Sequence, residues 1–145
     1  MKIGLVFQRI LPPIWFGITV AIALESWLKF QAHGITRELG LGIGKLVFTA
    51  IGRVELVIAA LLALALFVVA SPRIVRLIFA AIAAILLAQT FWLMPALVVR
   101  IDTIVAGSPP PPSSIHIVYV ALEMVKLLLL LGLSIAVSWS VEGKK

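Results

Sequence analysis

KLVFTAIGRVELVIAALLALALFVVASPRIVRLIFAAIAAILLAQTFWLMPALVV, residues 45–99, decides the fold. It holds two apolar runs, 45–70 and 73–99, separated only by the tight turn Ser71-Pro72-Arg73. Each run exceeds the ~20 residues that an α-helix needs to cross a hydrocarbon core ~30 Å thick. A turn this short can only connect antiparallel neighbours.

Two further runs flank this pair, 12–30 and 114–139. The expectation is an all-α, integral membrane four-helix bundle with antiparallel up-down topology, one domain covering residues 1–145. Composition agrees: 63% of residues are hydrophobic and 12% charged, with a mean hydropathy of +1.22. A soluble domain carries ~45–50% and ~25%, and a water-soluble fold of this length leaves about a third of its surface exposed. Lipid is therefore the expected solvent and the first partner.

Pro12 and Pro13 suit a first helical turn, where absent N–H groups cost nothing. Trp15 and Trp27 read as interfacial aromatics at the two ends of the first span. Lys2 and Arg9 precede that span without a cleavage pattern, which reads as a retained signal-anchor. Residues 31–44, QAHGITRELGLGIG, read as a loop or short interfacial helix. Pro95 is expected to kink the third span by removing a backbone donor. Residues 100–114 form the second loop, in which Pro109–Pro112 favour polyproline II geometry. Ser113 or Ser114 caps the fourth span.

The formal net charge is +6, but its basic residues sit mainly at span ends, where they read topology and anionic headgroups. No nucleic-acid partner is expected. Lys2, Arg9, Arg73, Arg76, Lys144 and Lys145 lie on one side, and Lys29, Arg37, Lys45 and Arg100 on the other. The positive-inside rule then places both termini in the cytoplasm, in a bacterial inner membrane.

Charge inside the runs is the chemical signal. Arg53 and Glu55 lie within the second run, Glu123 and Lys126 within the fourth. An ion in hydrocarbon is costly unless paired or hydrated, so such groups turn toward a bundle interior. His116, Tyr119, Glu123 and Lys126 share one helical stripe, and Glu25 and Lys29 make an i,i+4 pair. Gln89 and Arg100 add polarity on the third span. Arg53 and Glu55, two residues apart, point to different neighbours. Pairing of Arg53 with Glu123 or Glu25, and of Glu55 with Lys126, is plausible by depth, and the sequence leaves the choice open. All of this polarity is expected in the outer half of the bundle. In the plainer reading these ions hold four helices in register, since lipid supplies no hydrophobic force between helices.

Other motifs fail their tests. Gly40-Leu41-Gly42-Ile43-Gly44-Lys45 looks like a phosphate loop, but Leu39 and Leu46 occupy the required Gly and Ser/Thr positions. There is no nucleophile elbow and no Ser-His-Asp spacing, so no catalytic residue is assigned. There is no cysteine, which removes thiolate metal sites and thiol redox chemistry. His33 and His116 fall at the ends of spans one and four, where two imidazoles could ligate a haem or metal. No supporting ligand motif accompanies them, so neither cofactor nor metal is expected.

Several fragments together resemble a family of small four-span membrane proteins. In bacteria it is a domain of unknown function; its animal relative is a transmembrane protein linked to cisplatin resistance. The matching stretches are Trp15-Phe16-Gly17, Trp27 with Phe30, and Arg37-Glu38-Leu39-Gly40 leading to Gly44-Lys45-Leu46-Val47-Phe48. Phe91-Trp92-Leu93-Met94-Pro95 with Arg100 also matches, as does His116 with a polar residue seven further on. The chain departs in carrying Thr36-Arg37 where the family tends to Pro-Arg, and Glu55 and Glu123 where it tends to Asn. The resemblance implies the four-span fold and no settled activity.

Three functions compete. The first is a non-enzymatic accessory or assembly protein, with tightly paired buried ions. It would offer a small-residue face (Ala80, Ala81, Ala83, Ala84, Ala88) to a second copy or another membrane protein. The second is a small permease or efflux component that binds a polar solute or proton at Glu55 and Glu123, with an open hydrated cleft. The third is a haem-binding electron carrier.

Overall fold

The computed structural model describes residues 2–108 and 110–142. Pro109, Lys144 and Lys145 lie outside the described residues. Five α-helices follow in order: α1 Lys2–Leu28, α2 Arg37–Val68, α3 Arg73–Ala88, α4 Met94–Val105 and α5 Ile115–Glu142. A π-helical turn, Gln89–Leu93, joins α3 to α4, so these form one rod, Arg73–Val105. The described residues contain no strand. Four rods are long and apolar enough to cross a membrane. The protein is an all-α, membrane-type four-helix bundle.

The rods pack in a ring. α1 lies against α2 and α5, and the third rod closes the ring by touching both α5 and α2. The centre is apolar: Leu62, Ile82, Leu130 and Leu133 are fully enclosed, joined by Leu66, Val75, Leu86 and Val137. The outer surface carries Phe67, Leu64, Leu128 and Trp92, a distribution that water would not tolerate and lipid does.

Several element boundaries differ from the sequence expectation. α2 starts at Arg37 rather than near Lys45, because Thr36 caps it: its hydroxyl accepts from the Leu39 N–H at 3.2 Å. Gly40 and Gly44 therefore belong to a helix. Their purpose is close approach, since a Cβ at Gly40 would run into the Phe30 ring and one at Gly44 would meet Lys29 Nζ at 3.0 Å. Pro12 and Pro13 lie inside α1 rather than in its first turn. The third rod runs to Val105, which shortens the second loop to residues 106–114. Its irregularity begins before Pro95: the Met94 N–H reaches back five residues to the Gln89 carbonyl. The wider turn accommodates the missing proline donor. Ser113 accepts from the Ile115 N–H at 3.2 Å at the start of α5.

Candidate functional site: a buried ion network

α5 is apolar almost throughout, yet it carries Lys126 on the face that α1, α2 and the third rod enclose. The ammonium is fully buried and meets four oxygens. Two belong to Glu55 of α2, at 2.8 and 3.0 Å. One is Oε1 of Gln89, in the π turn, at 3.1 Å. The fourth is Oε2 of Glu123, one turn back on α5, at 3.1 Å. Three ammonium hydrogens spread over four acceptors leave none free.

The acceptors are themselves held. α1 contributes Trp15, whose indole N–H donates to Glu55 Oε1 at 2.8 Å, and Thr19, whose hydroxyl lies 3.2 Å from the same oxygen and 3.0 Å from the Trp15 carbonyl. Gln89 donates through Nε2 to Glu123 Oε2 at 2.7 Å, with a longer contact of 3.4 Å to the Tyr119 carbonyl. Every rod thus supplies at least one member. The π turn belongs to the design: it rotates Gln89 and Leu93 inward, leaving them 2% and 1% exposed. Local π geometry is frequent where a side chain must be re-aimed.

The network sits deeper than expected. Gln89 is the middle residue of the 33-residue rod Arg73–Val105, so the charges lie at mid-height and not in one outer half. The cause is helix length: α2 and the third rod extend well beyond the ends expected from hydropathy. Nor is the opposite half free of polar groups. Gln8 is buried and donates through Nε2 to the carbonyls of Ala65 and Val69, at 2.9 and 3.2 Å.

The other candidate residues separate from this cluster. Glu25 and Lys29 pair at 3.4 Å at the loop end of α1, with the Lys29 ammonium 5.6 Å from the Phe30 ring centre and 5.9 Å from that of Phe48. Arg100 donates to the Pro111 carbonyl at 2.8 Å and pins the second loop. Tyr119 packs edge-on against Phe48 at 5.8 Å. His33 and His116 are both exposed, and no cluster of three metal-ligating residues occurs among the described residues. Arg53 departs from the pairing considered for it. It is exposed and forms no ion pair with Glu123, Glu25 or any other acid among the described residues.

Thr19 and Gln8 were not singled out by sequence, and Trp15 was read there only as an interfacial aromatic. Trp15 is wholly buried rather than interfacial. The available signal was phase: positions 8, 15 and 19 recur at seven and four residues and share one helix face.

Beside the network lies a pocket of about 120 Å³, bounded by α2, the π turn, α4 and Tyr119. It is room for about four waters, taking ~30 Å³ for each.

The bundle, its apolar exterior and its shared ionic core define an integral membrane protein. No protein family, curated protein or solved structure matches the chain.

Proposed function

We propose that this protein is a non-enzymatic membrane component, an accessory or assembly factor whose ionic core fixes the arrangement of its four rods. The saturation of Lys126 carries this reading. Its donors and the facing Glu55 oxygens are consumed by protein partners from all four rods. A permease that loads a solute or proton at Glu55 and Glu123 needs room at those carboxylates. The adjoining space of about 120 Å³ is well below the ~300–1,000 Å³ of small-molecule sites.

The partner face follows from α3. Ala80, Ala81 and Ala84 are exposed, and small residues let a second helix approach closely. A second copy or another membrane protein would dock there. The balance of basic residues favours cytoplasmic termini in a bacterial inner membrane.

The test is Glu55→Gln and Glu123→Gln in purified protein, each followed by unfolding and by solute uptake in vesicles. Loss of stability with no uptake in the unmodified protein is the expected result. A stable fold with uptake abolished by either change would replace this reading with the permease.

A further inference from the structure

The two ends of the bundle treat their basic residues differently. At the end where α2 begins, Lys29 pairs with Glu25, Lys45 pairs with Asp102, and Arg100 donates to the Pro111 carbonyl. At the opposite end Arg9, Arg73 and Arg76 are all exposed, and none forms an ion pair among the described residues. Glu142, the last residue of α5, is the one acid that the chain brings to this end. Positive charge is therefore in surplus there.

Beside Arg73 lies a groove of about 500 Å³, between the start of α3 and the end of α5. Pro72 and Ile74 form one wall; Gly132, Ile135, Ala136 and Trp139 form the other. These α5 positions recur at three and four residues, so the groove follows one helix face for ~10 Å, along the rod. Ser140 also lines it, but its hydroxyl donates to the Val137 carbonyl at 2.9 Å. The walls are otherwise apolar, and the volume falls within the ~300–1,000 Å³ of small-molecule sites. Small residues create the space: a Cβ at Gly132 would meet nothing within 4 Å.

The mouth is polar. Arg73 stands in the chain between the wall residues Pro72 and Ile74, and a guanidinium binds phosphate oxygens in pairs. Trp139 is 72% exposed, and an interfacial indole N–H donates to headgroup oxygens. An apolar channel aligned with the rods, opening beside a free cation, matches a lipid with an acyl chain and an anionic headgroup. A second copy docked here about a two-fold axis would instead bring like charges together.

We infer that this groove holds one acyl chain of an anionic phospholipid whose phosphate sits on Arg73. The site needs only a membrane-embedded bundle, so it stands whether the ionic core is structural or carries a solute.

The experiment places the purified full chain in nanodiscs of equal phosphatidylglycerol and phosphatidylcholine. The protein is then moved to mild detergent, and retained lipid is counted by native mass spectrometry. One phosphatidylglycerol per chain is expected, preferred over phosphatidylcholine by about fivefold, the attraction of one basic residue for an anionic surface. Arg73→Gln should bring that preference close to unity, Arg73→Lys should keep most of it, and Arg37→Gln, at the far end, should leave it unchanged. Gly132→Leu keeps every charge and fills the groove, so retention of both lipids should fall while circular dichroism stays the same. Equal retention of the two lipids by the unmodified protein overturns the assignment, as does a preference that survives both Arg73→Gln and Gly132→Leu. A dimer that Gly132→Leu converts to monomer with no change in retained lipid also overturns it, in favour of a second copy.

Discussion

Replacing Lys126 with Met separates charge from hydrogen bonding in the core. The side chain stays unbranched, becomes one atom shorter and loses four polar contacts. Valued only as hydrogen bonds within a membrane, at ~0.6 kcal/mol each, these amount to about 2–3 kcal/mol. Removing one partner of a buried ion pair instead strands the other, at ~3–5 kcal/mol. The structure favours the larger range. The Glu55 side chain is only 5% exposed and keeps just Trp15 and Thr19 as donors, whereas Glu123, 18% exposed, keeps Gln89 as a donor. The double variant Lys126→Met/Glu55→Leu removes the Glu55–Lys126 pair and leaves the Trp15 indole unpaired, at ~1–3 kcal/mol, with Glu123 still held by Gln89. It should therefore be more stable than Lys126→Met alone. The assay is unfolding of the purified protein in mixed micelles by SDS titration, followed by near-ultraviolet circular dichroism. A Lys126→Met cost under about 1 kcal/mol, or a double variant whose cost equals the sum of the singles, would refute an interacting ionic core.

Trp15→Phe keeps one aromatic ring, removes one donor to Glu55 and leaves a cavity at a fully buried site; a loss of at least ~1–2 kcal/mol is expected in the same titration. Gly40→Ala should gain ~0.5–1 kcal/mol of helix propensity in a Phe30→Ala background, and less with Phe30 present, whose ring occupies the space the methyl needs. Lys45→Ala breaks an exposed pair with Asp102 and should cost under about 1 kcal/mol, a difference that shrinks as salt is added.

The rods were legible because membrane length and apolar content are coarse signals that survive any packing. Glu55 and Lys126 were legible because ions contrast sharply with their surroundings. What escaped was the identity of the inward face. A helix that is apolar all round offers no periodicity with which to orient it, so Trp15 was indistinguishable from an interfacial tryptophan such as Trp27, which is 63% exposed. Thr19 and Gln8 are polar enough to anchor a contact and too mild to stand out. The helix ends escaped for a related reason. Gly40 and Gly44 signal loops in water-soluble proteins and close helix approach here, and hydropathy does not distinguish the two uses. Arg53 escaped because depth alone suggested a partner that the ring of helices keeps for Lys126.

The pairing of Glu55 with Lys126 spans 71 residues of chain, and that separation is also an interval of time. At ~5–20 residues per second of synthesis, the fourth rod trails the second by roughly 4–14 s. During that interval a carboxylate has entered the bilayer and its ammonium has not yet been made. Trp15 and Thr19, already synthesised, are the only native donors then at hand to shelter it. The first rod thus serves as a temporary host for the second until the last helix arrives.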